Sequence, residues 1–145
     1  MRLTPFTADD IEACLDLFIA VFNRPPWNDT WTTETARDNL EDAFGIPGAS
    51  GLVARESSEV IGFVLGHREV QSDDVLFYVK ELCVSLEYQG RGVGRQLLIR
   101  LEEELKRQNV AGIYLLTFAD SARMFYEKLG FRVNNRNIVM NKNLS

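Results

Sequence analysis

From residue 88 to residue 95 the chain reads Tyr88-Gln89-Gly90-Arg91-Gly92-Val93-Gly94-Arg95. Glycines at alternate positions strip the side chains from a turn, so its backbone N–H groups can converge on one point. The apolar spacing of Val93, Leu97, Leu98, Leu101 and Leu105 predicts an amphipathic helix directly after it, which puts the turn at a helix N-terminus. Unpaired N–H groups and the positive end of the helix dipole then face the same way, an arrangement that suits an anion, and Arg91 and Arg95 add charge. The pattern is not that of a Walker A loop, which needs Gly-Lys-Ser/Thr. Nor is it the dinucleotide fingerprint, which carries an acidic residue about 20 positions further on.

Immediately upstream, residues 75–85 read as a long strand. Strict alternation would place Phe77, Val79, Glu81 and Cys83 on one face and Tyr78, Lys80, Leu82 and Val84 on the other. Glu81 is therefore expected among apolar side chains, where loss of solvent raises a carboxyl pKa toward the range of a general base. Cys83 invites nucleophilic chemistry, but no histidine is near it in sequence to activate the thiol. His67, the single histidine, falls on the preceding strand and ranks behind Glu81. Cys14 and Cys83 lie far apart with no Cys-x-x-Cys spacing and read as reduced, buried thiols; with one histidine the chain offers no common zinc set, and no metal is expected.

These residues need a scaffold, and the pattern supplies one. Residues 2–6 read as a first strand, and Thr7 with Asp10 forms a capping-box-like helix start. Ile11, Cys14, Leu15, Phe18, Val21 and Phe22 then give one apolar helical face, which stops ahead of Pro25 and Pro26. The following loop carries both tryptophans, Trp27 and Trp31. Thr32 or Thr33 opens a second helix through Ala36, Leu40 and Phe44, and helix, loop and helix together resemble a lid. Residues 51–55 and 60–70 read as a hairpin, and the strand, helix and strand over residues 75–118 as a parallel crossover unit. Ala122, Phe125, Tyr126 and Leu129 share one face of a further helix that Gly130 ends. Residues 131–133 and 138–142 read as short strands around an Asn134-Asn135 turn.

The bulk properties fit one mixed α/β domain over residues 1–145. Hydrophobic residues make up 46% and charged residues 26%. A net charge of -5 argues against a general nucleic-acid partner, which requires a concentrated basic surface, and favours encounter with a cationic small molecule. No apolar run approaches the roughly 20 residues that cross a bilayer. The N-terminus lacks the apolar stretch of a signal peptide, so a cytoplasmic address is expected. The oligomeric expectation is a monomer or a homodimer.

Glu81-Leu82-Cys83-Val84 followed by Gln89-Gly90-Arg91-Gly92-Val93-Gly94 resembles the pyrophosphate-binding motif of the GNAT superfamily of N-acetyltransferases, which follows a long strand. Residues Ser121-Ala122-Arg123-Met124-Phe125-Tyr126-Glu127-Lys128-Leu129-Gly130-Phe131 resemble that family's second signature. The resemblance implies a GNAT-like fold: a twisted, mostly antiparallel sheet of about seven strands with a splayed parallel pair, flanked by about four helices. It implies acetyl-coenzyme A as cosubstrate, with Leu82, Cys83 and Val84 pairing with the pantetheine amides. Gln89, Gly90, Arg91, Gly92, Val93, Gly94 and Arg95 would hold the pyrophosphate, and Asp120, Ala122, Phe125 and Tyr126 would complete the cofactor site. By the same resemblance Tyr126 donates to the departing sulfur, in direct transfer within a ternary complex. Glu81, the best-placed carboxylate by its position on the strand, is the expected acceptor of the amine proton, directly or through water. Trp27, Asp29, Trp31 and Glu81 are the candidates for contact with an amine of a small molecule or peptide. Ala119 stands where family members often carry an asparagine, and Asp120 or Ser121 could take its place. The alternative is an acyl-coenzyme A binding or regulatory module of the same fold without turnover.

Overall fold

The computed structural model describes every residue except Ala119. Its order is β1 (Arg2–Pro5), α1 (Ile11–Phe22), α2 (Thr33–Gly45), β2 (Ala49–Glu56), β3 (Glu59–Val70), β4 (Val75–Val84), α3 (Val93–Arg107), β5 (Gly112–Tyr114) and α4 (Asp120–Lys128). The strands form one sheet in sequence order, antiparallel from β1 to β4 and parallel between β4 and β5. Among the described residues, no helix is long and apolar enough to cross a membrane.

Both predicted helix starts exist. The Thr7 backbone N–H donates to Asp10 Oδ2 at 2.8 Å, and Arg55 from β2 pairs with the buried Asp10 carboxylate. At α2 the Thr35 backbone N–H donates to Thr32 Oγ1 at 3.1 Å, while the Thr32 N–H donates to Thr35 Oγ1 at 2.9 Å. Each cap satisfies donors that the helix geometry leaves free.

The sheet is covered on both faces. Helices α1 and α2 bury Cys14, Leu15, Phe18, Ala36 and Leu40 against Val53, Phe63 and Leu65. On the other face α3 buries Leu97, Leu98, Leu101 and Leu105 against Leu52, Val64, Phe77 and Val79, with Phe125 and Tyr126 of α4 packed on the same cluster.

The sheet departs from expectation in two places. Among the described residues five strands form, not about seven: residues 131–133 and 138–142 join no ladder. The Asn134 side chain accepts from the Arg136 N–H at 2.9 Å, closing a local turn, and Ile138, Val139 and Met140 stay exposed. A β-prone sequence becomes a strand only when a neighbouring edge and a buried face reward it, and here neither does.

The second departure is in β4. The register runs Leu65↔Glu81 and then Gly66↔Val79, leaving Lys80 as an extra residue in a bulge. A one-residue insertion exchanges the faces of everything beyond it. Phe77 and Val79 accordingly belong to the α3 core, whereas Cys83 belongs to the α1/α2 core, and Leu82 and Val84 pack towards α3. The expected sharing of one face by Phe77, Val79, Glu81 and Cys83 is thus corrected.

Candidate active site

Strands β4 and β5 pair only at Leu76↔Gly112, Phe77↔Ile113 and Tyr78↔Tyr114. Beyond Tyr78, β4 keeps β3 as its ladder partner and the parallel pair comes apart. A cleft of about 640 Å³ fills the opening. Glu81, Leu82 and Val84 line it from β4, Leu116, Thr117 and Phe118 from the segment after β5, and Ala122, Phe125 and Tyr126 from α4. Gln89, Gly90, Gly92, Val93, Gly94 and Arg95 line its end.

The glycine turn has the backbone its sequence implies. Gly90 and Gly92 sit at φ +76° and +86°, and Gly92 is the N-cap of α3. Those angles are strained for residues with a Cβ. Gly94 serves a different need: a Cβ there would lie 3.2 Å from the tip of Phe125, so its absence lets α4 approach α3 beside the cleft. Gln89 folds back, Nε2 donating to the Val84 carbonyl at 3.0 Å, which occupies one of the strand groups expected to pair with a ligand. Arg91 does not line the cleft; its guanidinium lies 5.2 Å from the Tyr88 ring centroid, a cation–π contact.

The bulge sets the position of Glu81. Its side chain is 14% exposed, and Oε1 accepts from Asn39 Nδ2 of α2 at 3.2 Å, with Lys80 Nζ at 3.8 Å. Burial raises the Glu81 pKa above the usual carboxylate value, with the Asn39 hydrogen bond and Lys80 opposing and the Asp29 charge reinforcing the rise. A carboxylate held in this way takes up a proton more readily than one in open water.

Across the cleft, burial and then the charge of Glu81 push the Tyr126 phenol up to about 12. It is neutral at working pH and able to donate a hydrogen bond. Its ring is fixed between Phe125 and Phe131, at centroid distances of 5.1 and 5.5 Å. The cleft therefore presents a proton acceptor on one wall and a proton donor on the other.

The remaining expected residues are dispersed. Cys83 is buried under α1, its thiol 3.9 Å from the Leu17 carbonyl and its pKa raised by burial, which makes it a poor nucleophile. Trp27 lines the cleft mouth and meets Phe22 and Phe118 edge-on. Trp31 packs on Phe18 at 5.0 Å and donates from Nε1 to Asp29 Oδ2 at 3.1 Å, so this pair ties the loop to the core. Asp120 lines a separate groove on the outer side of β5. His67 Nε2 lies 3.2 Å from Glu69 Oε2 and its ring stands against Tyr78, off the cleft. Ala119 lies outside the described residues.

Asn39 and Lys80 escaped the sequence reading. Asn39 did leave a signal: Ala36, Asn39, Leu40 and Ala43 occupy one helical stripe, so a polar residue stands among the buried positions of α2. Lys80 itself left none; the bulge that aims it is marked only on the facing strand, where Gly66 sits at the register shift.

Comparison with known proteins agrees with the geometry. The model of the acetyltransferase (GNAT) family matches residues 13–131. An acetyltransferase of Sodalis glossinidius is 27% identical over 147 residues, covering 99% of this chain and 96% of its own. One of Pectobacterium atrosepticum is 28% identical over 134 residues, covering 90% and 87%. Among solved structures, an integron cassette protein from the mobile metagenome of V. cholerae superposes with a TM-score of 0.82 at 17% identity, over 98% of this chain and 91% of that one. An aminoglycoside acetyltransferase from an uncultured soil metagenomic sample, crystallised with sisomicin, superposes at 0.76 and 16% identity, over 99% and 96%. The glycine turn, the splayed parallel pair and the sequence match over most of the chain have one explanation: this protein belongs to the acetyltransferase (GNAT) family.

Proposed function

We propose that the chain moves an acetyl group from acetyl-coenzyme A to an amine by direct transfer in a ternary complex. The observation that carries this reading is that one cleft is lined at its end by the Gly90–Gly94 turn and along its walls by both Glu81 and Tyr126. The turn fits a pyrophosphate, since its backbone donors stand at the N-terminus of α3 with positive-φ glycines and Arg95 beside them. Acetyl-coenzyme A supplies the thioester when bound. The stretch of β4 from Leu82 to Val84, paired with β3 but not with β5, offers backbone groups on its open edge to the pantetheine arm once Gln89 releases the Val84 carbonyl.

Glu81 takes a proton from the incoming ammonium, directly or through water, because only the neutral amine attacks a carbonyl. Tyr126 donates to the sulfur as charge gathers there. A covalent acetyl-cysteine route has no support in the burial of Cys83. Acceptors are small cationic amines, a class to which the sisomicin bound by the metagenomic neighbour belongs, and the acidic chain favours their encounter.

The pH dependence of kcat/KM tests the assignment. Burial raises the Glu81 pKa, so wild type should lose rate as pH falls through that raised value and Glu81 protonates. Glu81→Gln keeps the shape but accepts no proton, and should lose both rate and that limb. An unaltered limb in Glu81→Gln would remove the base assignment. The amine's own ionisation is separated by comparing acceptors of different basicity.

A further inference from the structure

Lys80 and Glu81 are consecutive on β4, yet both reach Asn39 of α2: Lys80 Nζ donates to Asn39 Oδ1 at 2.8 Å, and Asn39 Nδ2 donates to Glu81 Oε1 at 3.2 Å. In a regular strand neighbouring side chains point to opposite faces. The bulge between Val79 and Glu81 removes that alternation and brings both to the α2 side.

The amide has only one workable orientation. An ammonium can only donate, so the atom facing Lys80 is the oxygen; the atom left for Glu81 is then the nitrogen. An amide N–H aimed at Glu81 favours the ionised carboxylate over the acid. Asn39 is itself held by the seating of α2, whose next residue, Leu40, is fully buried. Arg37 two positions earlier bonds the Glu12 carboxylate of α1 twice, at 2.7 and 2.8 Å.

We propose that Asn39, aligned by Lys80, is a positioning residue that holds Glu81 as an ionised acceptor and thereby makes the seating of α2 part of the base. This rests on the reading of Glu81 as the base. The groups that act on Glu81 are Asn39 from α2, Lys80 from β4 and Asp29 from the loop after α1, while the Glu81 charge in turn raises the pKa values of Tyr78 and Cys83 on β4 and Tyr126 on α4. Of these, Lys80 alone carries positive charge, and Asn39 gives the one side-chain hydrogen bond to the carboxylate among the described residues. Loss of either partner leaves only the other to oppose burial and Asp29.

The test reads Glu81 itself. The full-length chain is prepared with 13C-labelled glutamate carboxyls, the Glu81 signal is assigned from its absence in Glu81→Gln, and the signal is titrated by NMR with no cosubstrate present. Asn39→Leu keeps nearly the same volume and removes the donor, so the Glu81 midpoint should move to higher pH than in wild type. Asn39→Asp should move it further in the same direction by adding a like charge. Lys80→Met, at a half-buried position, should also move it upward and serves if the Asn39 variants fold poorly. In the thiol-release assay the acidic limb of kcat/KM should follow the same order. A Glu81 midpoint unchanged in Asn39→Leu or in Lys80→Met would overturn the proposal, because a merely structural Asn39 has no reason to move that titration. Failure of the catalytic reading looks different: the midpoint shifts, but Glu81→Gln keeps its rate and limb.

Discussion

In the proposed reaction Tyr126 and Glu81 take opposite proton roles because one environment acts on two acids of different intrinsic strength. Burial raises both pKa values, but Glu81 starts low and moves toward neutrality, whereas Tyr126 starts near 10 and moves to about 12. The first gains proton affinity, and the second remains a donor. Tyr126→Phe removes one hydroxyl and keeps the ring stack with Phe125 and Phe131. It should lower kcat by about 10²-fold or more, the low end for general acid assistance, while acetyl-coenzyme A affinity hardly changes. Steady-state kinetics beside calorimetric titration checks this; a loss below about threefold would make Tyr126 a packing residue. Both residues were legible in the sequence for different reasons. Tyr126 stands in a local signature, and Glu81 is the one carboxylate on a largely apolar strand. Asn39 was not, because its contact with Glu81 spans 42 positions and exists only once α2 is seated.

Among the elements, the glycine turn and the β4 bulge contribute most to the site, and they differ in how visible they are. The turn is local chemistry: alternate glycines before a periodic apolar run specify it, and the structure adds the angles. A Cβ at Gly92 would meet nothing within 4 Å, so any penalty there comes from φ alone. Gly92→Ala should therefore cost about 1–2 kcal/mol in urea unfolding, the left-handed strain of an L-residue. A neutral result would mean that the turn relaxes freely. Gly92→Glu also places a carboxylate at the anion site, and the rise in melting temperature with added acetyl-coenzyme A should vanish while the unliganded fold persists. The bulge, by contrast, leaves only an indirect mark: Gly66 on β3, at the register shift, where a Cβ would collide with the Tyr78 carbonyl oxygen. The bulge arises where β4 must twist away from β5 while staying paired with β3, a demand set by three strands at once. The same dependence on partners explains residues 131–142, whose β-prone composition finds no edge in this fold.

At the scale of the whole molecule, the site costs stability. Glu81 ionises less readily in the folded protein than in the unfolded chain, so the fold binds its proton more tightly and this group's contribution is greatest at low pH. That contribution is lost as pH rises through the raised folded-state pKa. Glu81→Gln, which never ionises and can still accept from Asn39, should melt higher than wild type above that pKa and nearly level with it in acid. Melting curves across the pH range measure the difference, and a mutant that is less stable at every pH would assign Glu81 to holding β4 and α2 together.

The most direct measurement of catalysis is release of free coenzyme A thiol from acetyl-coenzyme A by the wild-type chain, with and without members of a panel of small amines. Mass spectrometry follows the amine in the same reactions. Thiol release should depend on the amine, match the N-acetylated product in amount, and fall sharply in Tyr126→Phe and Glu81→Gln. A chain whose melting temperature rises with acetyl-coenzyme A, yet which releases no thiol with any amine of the panel, would contradict acetyl transfer and identify an acyl-coenzyme A binding module in its place.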